Sequence, residues 1–97
     1  MFDPKELGIE DFTHKTEKEQ EIFSVGEDAF LVENKNTIEV RTDEKLKNLL
    51  IERYESVMES RYFGRGGIEI VLSGQLENEE VKDLIRLSYN LTCQRQI

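Results

Sequence analysis

Residues 20–41 constrain the fold more than any other part of this chain. Three short apolar segments, EIFSV, AFLVE and TIEVR, follow one another with only GED and NKN between them. Connections this short join antiparallel neighbours, because a parallel pair needs a crossover of a dozen or more residues. Gly26 marks the first turn, and Asn34 and Asn36 suit the second because asparagine tolerates left-handed backbone angles. In the third segment Ile38 and Val40 alternate with Thr37, Glu39 and Arg41, the period of a half-buried strand. An antiparallel meander is therefore expected over this stretch.

The period then changes. In TDEKLKNLLIERY, Thr42 is placed to cap a helix, Asp43 and Glu44 suit its positive end, and Leu46, Leu49, Leu50 and Tyr54 share one face. VMESRYFGRGG reads as an irregular link, with Gly64, Gly66 and Gly67 bending the chain into a fourth strand, IEIVLS. After a turn in GQLEN, Asn78 is placed to cap a last helix with a stripe of Val81, Leu84, Ile85, Ser88 and Leu91. Ahead of the meander, DPKEL reads as one helical turn capped by Asp3 and stopped at Gly8, and EDFTHKTEKEQ reads as a loop. The expected fold class is α+β, an antiparallel sheet of about four strands with two packed helices. One domain over residues 1–97 is expected, with residues 1–20 an acidic, poorly patterned segment. Its core is expected from Phe23, Phe30, Leu46, Leu49, Leu50, Ile70, Leu72, Leu84, Ile85 and Leu91.

Charge narrows the function. The net charge of −8 sits almost wholly in residues 1–33, where ten acids face three bases, while residues 61–97 are balanced at five each. A basic footprint over the whole domain, the usual mark of a nucleic-acid binder, is missing, so any such binding must use a local patch. The single cysteine, Cys93, excludes an internal disulfide and the paired-cysteine zinc patterns. The N-terminus has neither the basic nor the apolar region of a secretory signal, and no apolar run approaches membrane-span length. A cytoplasmic protein with no membrane contact is expected, monomeric rather than an obligate oligomer.

No motif assembles a reaction. The glycines of RYFGRGG precede a strand, whereas a phosphate cradle places them at a strand-to-helix junction, and GRGG fits neither nucleotide-loop spacing. His14, the only histidine, reads as a solvated loop residue, and Cys93 as a small hydrophobe on a helix. No nucleophile, base and orienting group fall into a recognisable set, so neither enzyme activity nor a cofactor is expected. Glu17, Glu19, Glu21, Glu27 and Asp28 are the candidates for a divalent cation, but they lack an EF-hand spacing and read first as a solvated acidic surface.

The run IEIVLSGQLENEEVKDLIRLSYNL resembles the MmcQ/YjbR family. Leu72, Gly74, Leu76, Glu79, Glu80, Val81, Leu84, Ile85, Ser88, Tyr89 and Leu91 fall on that family's closing pattern of strand, turn and helix. EIFSVGEDAFLV is similar to its first hairpin, and RTDEKLKNLLIERYESV to its middle segment. Where the family carries a basic residue, His and Trp ahead of the fourth strand, this chain has FGRGG, and only Arg65 keeps the basic character. The resemblance implies a CyaY-like, double-wing α+β fold, a DNA-binding role and no catalytic residues. On that reading Arg61, Tyr62, Arg65, Lys35 and Arg41 form the nucleic-acid surface, arginines meeting phosphates and the tyrosine stacking. The alternatives are a protein-interaction domain whose acidic N-terminal third faces a basic partner, and a divalent-cation-binding protein. A continuous basic strip through Arg61, Arg65 and Arg41 would favour nucleic acid; arginines isolated among carboxylates would favour a protein partner.

Overall fold

A computed structural model describes residues 2–96. One 3₁₀ turn and six strands, β1 (Thr13–Glu17), β2 (Gln20–Val25), β3 (Asp28–Glu33), β4 (Thr37–Arg41), β5 (Val57–Ser60) and β6 (Gly64–Val71), are joined by helices α1 (Glu44–Arg53) and α2 (Asn78–Gln94). The strands form a single antiparallel sheet in the order β1-β2-β3-β4-β6-β5. Both helices pack on one face, α2 over β3 and β4, and α1 over β5 and β6. The fold is α+β, as the alternating periods indicate, with six strands in place of about four.

The two additional strands lie where the sequence reads as loop and link. β1 carries no apolar residue, and all five of its positions are exposed. Its hairpin to β2 turns through Lys18 and Glu19, both at positive φ (51° and 67°), where glycine or asparagine is the usual signal. β5 turns only Val57 into the helix-side core and is too short to show a period.

The helix-side core joins Phe23, Phe30, Leu31, Ile38, Val40, Val57, Ile68, Ile70, Leu76, Val81 and Ile85. Phe30 enters through a bulge. The β2–β3 register steps from Phe23↔Leu31 to Ser24↔Ala29, so Phe30 is the extra residue, and it joins Leu31 in the same core. Ser88 anchors α2, donating to the Phe30 carbonyl (2.6 Å) and accepting from the Arg41 backbone N–H (2.8 Å).

Three local expectations need correction. α1 is capped by Asp43, whose Oδ1 accepts from the Leu46 N–H at 2.8 Å, and not by Thr42; α2 begins from Glu77, with Asn78 already its first helical residue. Leu49 is not a core residue: it is 55% exposed. Lys47 takes that share of the helix face, laying its stem on the sheet and placing Nζ 2.9 Å from Glu59 Oε1. Leu46, Leu50, Leu72, Leu84 and Leu91 are half-buried.

Candidate functional site

The glycine-rich stretch is part of a strand rather than a bend between helix and strand. Residues 61–63 turn β5 into β6, and the turn curls back over the sheet face opposite the helices. Gly64, at φ 61°, permits the reversal. Gly67 permits the closure: a Cβ there would lie 2.5 Å from the Val40 carbonyl oxygen and 2.7 Å from Phe63 Cβ. Phe63 packs against Ile22, Ala29 and Val32, forming a second, smaller apolar cluster on this outer face.

Under the turn, Glu39 and Glu69 stand directly opposite each other on β4 and β6, only 1% and 2% exposed. Like charges so placed repel. Their oxygens are correspondingly well supplied. Glu69 takes two bonds from Arg61, Nε at 2.9 Å and Nη2 at 2.7 Å, and one from Thr37 Oγ1 at 2.7 Å. Glu39 accepts from Ser60 Oγ and the Tyr62 N–H, each at 2.8 Å, and from Asn34 Nδ2 at 2.9 Å. The hydrogen bond from Arg61 holds the Glu69 carboxyl below its usual range, against the upward push of burial.

Each residue of the proposed nucleic-acid surface can now be placed. Arg61 is exposed yet engaged by Glu69. Arg41 is half-buried, donating Nε to the Ala29 carbonyl (2.8 Å) with Cζ 4.8 Å above the Phe63 ring. Tyr62 and Arg65 are exposed on the same hairpin. Lys35 stands apart from them, in the β3–β4 turn, lining a cleft with Glu19, Glu21, Glu33 and Asn34. The hairpin brings Arg61, Tyr62 and Arg65 together and leaves Lys35 among carboxylates.

A recess opens on the helix side, against β1, β2 and β3. A cavity of about 690 Å³, open to solvent, is lined by Phe2, Asp3, Lys5, Glu10, Phe12, His14, Glu21, Phe23 and Glu33. The Asp3-capped 3₁₀ turn and the segment after it form one wall. His14 is not a solvated loop residue: on β1 it stacks on Phe23, ring centroids 4.4 Å apart, and its Nε2 lies 2.8 Å from Glu21 Oε1. Phe12 tilts against Phe23 at 5.7 Å.

Glu21 and Glu33 also form a cross-strand pair. A regular two-residue hairpin from Val25↔Asp28 would set Val32 opposite Glu21; the bulge at Phe30 advances the register and brings Glu33 there instead. Glu33 is 4% exposed, and among the described residues Oε2 accepts only the Phe2 N–H, at 2.9 Å. Burial pushes its carboxyl above the usual range, partly opposed by that bond. Bonds from Thr16 and His14 lower the Glu21 carboxyl. Among the described residues, neither carboxylate is bonded to a lysine or arginine. Sequence reasoning named Glu21 only as a cation ligand; it missed Glu33, because the bulge that brings it opposite Glu21 has no sequence signature, and Phe12, because the strand it leads into carries no apolar residue. Glu17, Glu19 and Glu21 sit on the β1–β2 hairpin and Glu27 and Asp28 at the β2–β3 turn, and among the described residues no three His, Cys, Asp or Glu side chains converge as metal ligands.

No family model matches the chain, nor does any curated protein sequence. Solved structures do. A Deinococcus radiodurans protein with a DUF419 domain superposes with a TM-score of 0.80 at 15% identity, covering 90% of this chain and 72% of that one. A Pseudomonas syringae protein superposes at 0.72 and 14% identity, covering 95% of this chain and 99% of that one. These likenesses establish the α+β fold. Among the described residues no helix is long and apolar enough to cross a membrane.

Proposed function

We propose that this chain is a divergent MmcQ/YjbR-type binding module, cytoplasmic, monomeric and without catalytic activity, and that its partner is a basic protein segment received in the phenylalanine-lined acidic cavity. The observation that carries this reading is the Glu21–Glu33 pair. A buried carboxylate with one hydrogen bond among the described residues, facing a second carboxylate, leaves room for a further cation to complete its compensation. Phe2, Phe12 and Phe23 offer ring faces and apolar wall to the stem of a lysine or arginine, a pairing that attracts cations beyond simple charge. Asp3 and Glu10 on the rim add the long-range field that steers a basic chain inward.

DNA binding is the second reading, favoured by the exposed Arg61, Tyr62 and Arg65 on one hairpin. The engagement of Arg61 by Glu69 and the acidic setting of Lys35 support the protein partner over it. The two separate in one experiment. At low salt, a lysine- and arginine-rich peptide should bind the wild type saturably, and Glu33→Gln or Glu21→Gln should weaken it, while a glutamate-rich peptide should not bind. Binding of duplex or single-stranded DNA, weakened by Arg65→Ala and untouched by Glu33→Gln, with no peptide association at tens of micromolar protein, would reverse the choice.

A further inference from the structure

We propose that the cleft between the last turn of α2 and the ends of β4 and β6 is an oxyanion site, holding one phosphate group between Arg41 and Arg95. The cleft has a volume of about 320 Å³ and is lined by Arg41, Thr42, Gly66, Leu91, Gln94 and Arg95. It shares no residue with the acidic cavity, so it stands or falls independently of the function proposed above.

Arg41 is held as a fixed fork. Its backbone N–H is tied to Ser88, its Nε to the Ala29 carbonyl, and its guanidinium lies over the Phe63 ring. Those contacts leave both terminal nitrogens without a bonded partner among the described residues. A planar guanidinium with two free terminal nitrogens matches two oxygens of a phosphate, and one already oriented loses little freedom on binding. Burial, and next the like charge of Arg95, make the Arg41 cation harder to hold; Asp28 pulls the other way without reaching ion-pair distance. Two cations held near one another are the charge state that an anion relieves.

Thr42 is the independent observation. It lines the cleft, and its Oγ1 is buried with no hydrogen-bond partner, whereas buried hydroxyls in folded proteins are nearly always bonded. A small shift of the Thr42 side chain would open that sealed hydroxyl to a phosphate oxygen in the cleft as its acceptor, and the open backbone at Gly66 leaves room for the phosphate's approach.

The test uses the full chain, with inorganic phosphate, a 5′-mononucleotide and a short single-stranded oligodeoxynucleotide as probes, chloride being added to equal ionic strength. Backbone amide NMR shifts are the readout. Phosphate should produce saturable shifts centred on Arg41, Gly66 and Arg95. Arg95→Gln, at an exposed position, should fold normally and weaken that response about tenfold, the scale of one lost charge-assisted bond. Thr42→Val, which keeps the shape, should weaken it with no loss of melting temperature. Saturation by phosphate and mononucleotide alone would identify a free phosphate ester as ligand; tighter saturation by the oligonucleotide at the same residues would identify a nucleic-acid backbone. The proposal is overturned if chloride reproduces the shifts. It is equally overturned if Arg95→Gln lowers only the melting temperature and leaves the phosphate response intact, Arg95 then serving merely the negative end of α2.

Discussion

Two glutamate pairs face each other across neighbouring strands of this sheet, one on each surface, and they are compensated in different ways. Glu39 and Glu69, on the outer face, are covered by the β5–β6 turn and receive six bonds, two of them from Arg61. Glu21 and Glu33, on the helix side, lie in an open cavity, and among the described residues the buried member has one bond, from a backbone N–H. The first pair is finished within the chain. The second is left as if for an incoming charge. Burial alone therefore does not separate Glu33 from Glu39 and Glu69; the completeness of the bonding around them among the described residues does.

The largest test of that contrast is Glu39→Ala. It strips the acceptor from Ser60 Oγ, Asn34 Nδ2 and the Tyr62 N–H at once, and should cost about 3 kcal/mol or more in urea unfolding, since each buried group left unbonded carries its own penalty. A loss below about 1 kcal/mol, the size of a single ordinary hydrogen bond, would mean that the turn does not seal this face.

Gly67→Ala comes next. The added methyl meets the Val40 carbonyl and Phe63 together, so the turn must lift, at about 1–3 kcal/mol in the same unfolding assay. Gly66→Ala is its control, because only the Phe63 carbonyl lies nearby, at 3.7 Å; equal losses for the two would show that backbone freedom rather than close approach is what matters at Gly67.

Glu33→Gln sharpens the other side. Its effect should be within about 1 kcal/mol and of the stabilising sign at pH 7, because glutamine keeps an acceptor for the Phe2 N–H without a buried charge. The pH dependence follows from the raised carboxyl. Glu33 binds its proton more tightly folded than unfolded, so its contribution is fully present below the ordinary carboxylate range and is lost as pH rises through its folded value. The variant should lack that decline, and a destabilisation at pH 7 as large as that of Glu39→Ala would erase the distinction between the two pairs.

Arg61→Ala gives the smallest and most specific effect, in acid unfolding. Glu69 is held low by Arg61, so its contribution is present above the ordinary carboxylate range and is lost as pH falls through its folded value. Removing the guanidinium should lower stability slightly at pH 7 and flatten its fall in acid, the variant converging on the wild type once Glu69 is protonated. An unchanged acid limb would show that Thr37 alone suffices for Glu69.

Much of the scaffold was legible, and the reasons are local. The β2–β4 meander announced itself because each turn carries Gly or Asn and each strand an apolar run; α2 did so because Val81, Leu84, Ile85, Ser88 and Leu91 form one helical stripe. β1 escaped notice because its turn forces Lys18 and Glu19 into left-handed angles that their types do not advertise. The outer face was illegible for a different reason. Strict alternation in TIEVR and IEIV assigns Glu39 and Glu69 to solvent, and only a turn folding back across strands reverses that assignment. The acidic cavity depends on the Phe30 bulge, a one-residue register shift that composition and period do not encode.

The insertion of α1 and β5 between β4 and β6 has a kinetic consequence. The β4–β6 ladder joins partners from Arg41↔Gly67 to Thr37↔Val71, 26 to 34 positions apart, whereas the β1–β4 hairpins close over a few residues. Hairpins form in microseconds, and long loops must be closed before their contacts repay the lost freedom, so the four-stranded half should be assembled first and wait for the rest. During that wait β4 is a bare edge carrying Ile38 and Val40, the arrangement through which chains pair with one another. Glu39, between them, then has no Glu69, Ser60 or Tyr62 near it and points as a free charge into water. The residue that is sealed away in the finished protein thus acts, before the finish, as the guard on the edge that β6 has yet to occupy.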